Sequence, residues 1–254
     1  MDMMDLLYEN DIVLESQGDK KSLIRRMLDK IKEFIKKLKN WVNSIIKKKE
    51  NIDKEQSKNT NTQQEQTEEE TGDVDGYNKT IENQTLICEV IDSDKIITEF
   101  NKILSILENI IGNILSRHSN RDVIEQMFES ISEHPNFKSF KIKKSFKLKD
   151  FISSKDLEGS YHLRVPILYF KNEFSSSMGN MYESTNRVHN LISDSIEKVN
   201  EPEQIAYLQK CTSILGQVSR VVSDELGKIL YQCNVLQPKI RSYEATLRKK
   251  YNLK

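Results

Sequence analysis

Residues 96–115 read IITEFNKILSILENIIGNIL. Apolar side chains fall at Ile96, Ile97, Phe100, Ile103, Leu104, Leu107, Ile110, Ile111, Ile114 and Leu115, in short steps that repeat without a slip. That period belongs to an α-helix, and the apolar face is wide, as for a helix sunk among others. The pattern ends near His118. Ser119 or Asn120 can cap a shorter helix carrying Val123, Ile124, Met127, Phe128 and Ile131, which His134-Pro135 ends.

The same period returns downstream. Phe174, Met178, Met181, Tyr182, Thr185, Val188, Ile192, Ile196 and Val199 mark one helix. Asn200-Glu201-Pro202 closes it and opens the next, with Pro202 at a first-turn position. That helix runs through Ile205, Leu208, Cys211, Leu215, Val218, Val222, Leu226, Ile229 and Cys233, and Pro238 is expected to introduce a last basic helix with Ile240, Tyr243 and Leu247. Long helices joined by short turns predict a mainly α fold, an antiparallel bundle over residues 81–254.

One interruption changes the period. Residues 137–151, FKSFKIKKSFKLKDF, alternate apolar and Lys positions at Phe140/Ile142 and Phe146/Leu148, the mark of half-exposed strands. Tyr161 to Phe170 is a second extended candidate, confined to an edge by Pro166. Together they suggest a small β-hairpin insertion within 137–170. The lysines among the aromatics (Lys138, Lys141, Lys143, Lys144, Lys147, Lys149) could serve single-stranded nucleic acid, with stacked bases and neutralised phosphates. The commoner arrangement turns the apolar residues inward and leaves the lysines to guard an edge.

Towards the N-terminus a second continuous stripe appears: Ile24, Met27, Leu28, Ile31, Phe34, Ile35, Leu38, Trp41, Val42 and Ile45. Arg25, Arg26, Lys30, Lys32, Lys36, Lys37 and Lys39 take most of the opposite face. The net charge of the 254-residue chain is zero, yet it is laid out in blocks. Residues 1–19 hold six acids and no Lys or Arg, residues 20–49 hold twelve Lys/Arg against Asp29 and Glu33, and residues 50–76 hold nine acids against Lys54 and Lys58. A basic block between acidic ones can fold back on its neighbours or bind an anionic partner. From Glu50 to about Thr80 apolar residues are almost lost, so the segment is expected to be a disordered tether. The expected organisation is an acidic peptide (1–19), a basic amphipathic helix (20–49), a disordered acidic linker (50–80) and a helical domain (81–254).

Composition narrows the function classes. Ala occurs only at Ala206 and Ala245 while Lys, Ile, Asn and Ser abound, the bias of an AT-rich genome, which lessens what the lysines alone can mean. Cys88, Cys211 and Cys233 are widely spaced with no CxxC, so reduced thiols in a reducing compartment are expected. The start lacks the basic flank and apolar run of a secretory signal, and no stretch reaches the ~18 apolar residues of a spanning helix. Eight scattered glycines form no phosphate-binding loop, and His118, His134, His162 and His189 lack metal-ligand spacing. Ser195-Ile-Glu-Lys198 matches SxxK, common by chance in a Lys- and Ser-rich chain and here without its companion motifs. No enzyme activity, metal or cofactor is expected.

The basic helix admits three readings. On a membrane, Phe34 and Trp41 would sit at headgroup level while lysines meet anionic lipid. Against nucleic acid, the lysine face would neutralise phosphates. In the plainest reading the stripe packs on the main domain or self-associates as a coiled coil, and the lysines are solvated.

The first fifteen residues, MDMMDLLYENDIVLE, resemble the acidic amphipathic delivery peptides of internal head and scaffold-associated proteins of large tailed phages. In that family a prohead protease cuts after a Leu/Ile-x-Glu tripeptide. Leu7-Tyr8-Glu9 matches it and Val13-Leu14-Glu15 matches loosely, so the resemblance implies processing at Glu9 or Glu15. The likeness covers about the first fifty residues, and Ile131-Ser132-Glu133 matches the same degenerate tripeptide. It implies a non-catalytic virion or head-associated structural protein whose partners are capsid, scaffold or packaged DNA, located in the virion or host cytoplasm. The alternative is a peripheral membrane or host-interaction protein anchored by residues 22–47.

Overall fold

The computed structural model describes residues 20–40, 72–116, 120–132, 140–150 and 164–253. The fold is mainly α, with one small antiparallel sheet. In chain order the elements are α1 (residues 20–40), α2 (Val74–Asn83), β1 (Thr85–Ile91), α3 (Ser93–Leu115), α4 (Arg121–Ser132), β2 (Lys141–Lys147) with a 3-10 turn at Leu148–Asp150, α5 (Arg164–Ile196) and α6 (Pro202–Lys250). The chain divides into two compact units interleaved in sequence: Met1–Asn40, Asp94–Phe137 and Met178–Ser223 form one, and Trp41–Ser93, Lys138–Ser177 and Asp224–Lys254 the other.

The first unit is built around α3. Every apolar residue of its pattern is buried except Leu115 at the helix end. Each such aliphatic or aromatic side chain removed from water contributes roughly 1.5–3 kcal/mol before entropy is subtracted. Ile124 and Phe128 of α4, Met181, Val188, Ile192 and Ile196 of α5, and Ile205, Leu208, Leu215 and Val222 of α6 fill the same core. Its rim is polar. Gln204 Nε2 donates to the Ile114 carbonyl (2.8 Å), satisfying one of the acceptors a helix leaves open at its C-terminal end. Lys210 meets Glu125 at 3.3 Å and lies 4.0 Å above the Phe128 ring. Asn120 Oδ1 accepts from the Asp122 N–H (3.0 Å), so the expected cap of α4 is in place. Buried hydroxyls of Thr185, Ser195 and Thr212 donate to the carbonyls of Met181, Leu191 and Leu208 one turn back, which lets them enter the core without a desolvated donor.

The second unit holds the sheet. β1 and β2 pair antiparallel with Thr85 opposite Lys147 and Ile91 opposite Lys141. Leu86, Cys88 and Val90 share a face with Phe146, Lys144 and Ile142; Val90 and Phe146 are buried, while Ile142 stays 40% exposed. A strand expected within 137–151 is present at Lys141–Lys147, but its partner is β1 and not Tyr161–Phe170. Residues 164–170 instead open α5, where Pro166 falls in a first turn that needs no amide hydrogen there. The true partner, TLICEVI, alternates Leu86, Cys88 and Val90 between the polar Gln84 and Asp92.

Two further expectations are corrected. Part of the expected tether is a helix: in α2, Asp73 Oδ1 accepts from the Gly76 N–H (2.8 Å), and Tyr77 and Ile81 are buried. Two apolar residues four apart plus a cap are enough here because Tyr251 packs edge-on against Tyr77 and hydrogen-bonds Thr80. Residues 50–71 of that tether lie outside the described residues, as do 41–49 of the basic helix. Pro238 does not start a helix but lies inside α6, which is continuous from Pro202 to Lys250. A mid-helix proline costs about 3 kcal/mol. Its exposed position, flanked by buried Leu236 and Ile240, allows burial to offset that cost.

The end of α6 closes on α2. Asn252 adopts φ 54°, Leu253 N donates to Arg248 O (2.9 Å) and Asn252 N to Lys249 O (3.4 Å), a Schellman stop with Asn in the left-handed place. Tyr251 O then accepts from Asp73 N (3.0 Å), and the Tyr251 ring meets Tyr77 edge-on with centroids 6.2 Å apart. Gly72 is needed at this junction, since a β-carbon there would stand 2.8 Å from the carbonyl oxygens of Tyr251 and Asn252. Ending the chain after Lys250 should therefore lower stability by at least about 1 kcal/mol, the worth of an aromatic pair and its burial. An unchanged midpoint in urea would show that the clasp contributes nothing.

Candidate functional site

The α1 stripe is split by depth. Ile24, Leu28, Ile31 and Ile35 are buried, and Met27, Phe34 and Leu38 are half-buried at its margins. Trp41, Val42 and Ile45 lie outside the described residues, as do Glu9 and Glu15. What α1 packs against is fixed by its neighbours. Lys21 Nζ donates to Asn200 Oδ1 (3.4 Å), Arg25 pairs with Glu197, and Lys39 Nζ lies 4.4 Å from the centre of the Tyr182 ring. The helix thus runs antiparallel to the second half of α5. Ile31 Cδ1 would be 3.4 Å from a β-carbon placed at Gly216, so α1 also rests close on α6. No sequence signal marks this approach: Gly216 leaves room for a β-carbon at ordinary contact distance, and the helical Gly112, Gly179 and Gly227 have nothing within 4 Å of theirs.

Burying the stripe turns the other face out. Arg25, Arg26, Lys30, Lys32, Lys36, Lys37 and Lys39 are all exposed. Several have internal partners: Arg25 with Glu197, Lys37 with Glu33 at 2.9 Å, Lys39 with Tyr182. The Lys37 ammonium beside Glu33 holds that carboxyl below the usual carboxylate range. Arg26, Lys32 and Lys36 point to water with no ion pair among the described residues. Lys32 and Lys36 are one turn apart, about 6 Å. This is a row of fixed positive charge on a rigid helix, suited to anions spaced along a chain or surface.

The other candidates come apart. Phe140 and Phe146 are buried, so neither shares the exposed side with Lys141, Lys143 and Lys147, while Phe137 and Phe151 lie outside the described residues. The Ser195 hydroxyl donates to the Leu191 carbonyl at 2.6 Å and Lys198 is exposed. His189 is buried with Nδ1 3.2 Å from Asn190 Oδ1. Among the described residues no group of three or more His, Cys, Asp or Glu is placed to hold a metal ion. No helix among them is long and apolar enough to cross a membrane. Cys88 and Cys211 are free thiols; burial pushes Cys211 up to about 12, and burial raises Cys88 against the lowering influence of Lys239.

No protein-family model, curated protein or solved structure matches this chain.

Ile31→Ala should destabilise the protein by about 2–5 kcal/mol, whereas Lys32→Ala and Lys36→Ala should stay within about 0.5 kcal/mol. Equal effects in chemical denaturation would mean that the stripe is not part of the core. For Cys211 the raised thiol value means that the folded state holds the proton more tightly. The associated stability is complete below the ordinary thiol value of 9.0 and is lost as pH climbs from there towards about 12. A thiol reagent at mild alkaline pH should leave Cys211 unmodified until denaturant is added; rapid labelling of the folded chain at Cys211 would contradict its burial.

Proposed function

We propose that the chain is a non-catalytic structural protein of a tailed-phage particle that meets an anionic partner through the basic face of α1. The observation that carries the binding surface is the division of that helix among its described residues: Ile24, Leu28, Ile31 and Ile35 are buried inside the chain, and the cations from Arg25 to Lys39 are displayed. The phage context is supported by the resemblance of residues 1–15 alone. Within it, packaged DNA or an acidic capsid or scaffold surface supplies the negative charge, and DNA is the simpler fit because charges without shape or sequence readout suffice. The membrane alternative has to strip Ile24, Leu28, Ile31 and Ile35 from the core before lipid can take them, exposing the surface of α5 and α6 that they cover. Lipid would replace one side of that burial and leave the other in water.

Full-length protein titrated onto a labelled DNA duplex should bind with an affinity that falls steeply with salt. Lys32→Glu combined with Lys36→Glu should weaken binding by about tenfold or more and flatten the salt dependence, without moving the unfolding midpoint. Salt-independent binding, or none, removes DNA as the partner. Strong binding to anionic vesicles that is lost in Phe34→Asp would favour the membrane alternative instead. Recovery of the protein in purified particles tests the phage context separately.

A further inference from the structure

The sheet has two strands and therefore two outer edges. Leu148 N donates to Gln84 O (2.9 Å) and Asp92 N to Phe140 O (3.1 Å), which sets the phase of the ladder between them. Even-numbered residues bond across the pair, and odd-numbered ones aim their N–H and C=O groups outward. On β1 the outward Ile91 N donates to Gln232 Oε1 of α6 (3.2 Å), and the outward groups of Thr85, Ile87 and Glu89 have no backbone partner among the described residues; just beyond the strand Tyr243 donates to Gln84 Oε1. On β2 the outward groups belong to Lys141, Lys143, Ser145 and Lys147, all exposed, and no backbone partner meets them among the described residues.

Those residues also share the solvent face of the sheet, since one in two side chains lies on each face. Three are lysines. The sheet's one acid on that face, Glu89, is already taken by Lys141 at 3.2 Å. This pair shows what the surface accepts: an acid on a neighbouring strand reaching a β2 lysine. Lysines on an edge repel a second copy of the same edge, because like charges would stand opposite each other. They do not repel an acidic strand.

We propose that the outer edge of β2 is a docking site for an extended acidic segment of another protein, added as a third strand with carboxylates at alternate positions beside Lys143 and Lys147. Main-chain hydrogen bonds to the outward groups of Lys143 and Ser145 supply the affinity, and the lysine row supplies the selectivity. The site is separate from the helix face and does not depend on DNA binding there.

The test uses the full-length chain, with amide hydrogen exchange of residues 141–147 read by NMR. The probe is a capped hexapeptide of alternating Thr and Glu. It should slow exchange at Lys143 and Ser145 by about tenfold when near saturation. The same peptide N-methylated on the amides of one edge should give no protection, and a Thr/Lys peptide should not bind. Lys143→Glu with Lys147→Glu should weaken the acidic peptide at least about fivefold and admit the Thr/Lys peptide. Equal protection by the methylated peptide would reduce the effect to charge alone and overturn the proposal. So would unchanged exchange, or equal protection by a single-stranded oligonucleotide.

Discussion

Ile24, Leu28, Ile31 and Ile35 lie along one line of α1, and their removal from water determines much else in the first unit. Together they represent on the order of 6–12 kcal/mol of gross hydrophobic stabilisation, comparable with the whole net stability of an ordinary domain. A helix that gives up such a stripe is released only at a large cost. The stripe therefore fixes the rotation of α1, and the rotation fixes where the cations point. Arg26, Lys32 and Lys36 face water because the turn of the helix leaves them no other place. The surface pairs at Glu197 and Tyr182 refine the seating of α1, but exposed pairs of this kind contribute little beside the buried stripe.

The same logic explains which parts of the fold were legible in the sequence. α3 was readable because nine of its ten apolar positions are buried, so its pattern and its environment agree. The stripe of α1 is readable as a helix, yet its partner is not: three readings fit one pattern, and none of the residues it packs beside carries a signal of the contact. α2 was missed because its stability is not local. Tyr77 and Ile81 alone cannot hold ten residues, and Tyr251, distant in sequence, completes the packing. β1 was missed for a related reason: a seven-residue strand with partial alternation is specified by its partner as much as by itself. Pro238 reads as a helix start from local hydrogen bonding alone, but burial of Leu236 and Ile240 on either side outweighs the bond it removes.

The candidate site was legible in its parts and not in its meaning. Arg25, Arg26, Lys30, Lys32, Lys36, Lys37 and Lys39 of α1 are identifiable from charge and spacing, and these seven are exposed. Sequence could not say whether the apolar side was free, and that is what separates a membrane anchor from a docked helix. The lysines of 141–147 show the converse. Their alternation is plain, but which of their main-chain groups face outward depends on the pairing with β1, which the segment itself does not specify.

Two cationic surfaces in one chain of zero net charge need not do the same work, and their backbones show why. On α1 every main-chain group in the middle of the helix is already bonded, so a partner meets side-chain charge only. Such a surface favours partners dense in charge and indifferent to geometry, as a nucleic-acid backbone is. On β2 the outward main-chain groups have no backbone partner among the described residues, and amides demand a partner that is extended and in register. A polyphosphate chain lacks the peptide ladder to answer it, while a protein strand carries both the ladder and, if acidic, the complementary charge. Helix and strand thus convert the same residue, lysine, into two selectivities. The difference comes from whether the hydrogen-bonding capacity of the backbone has been consumed within the element or left at its edge.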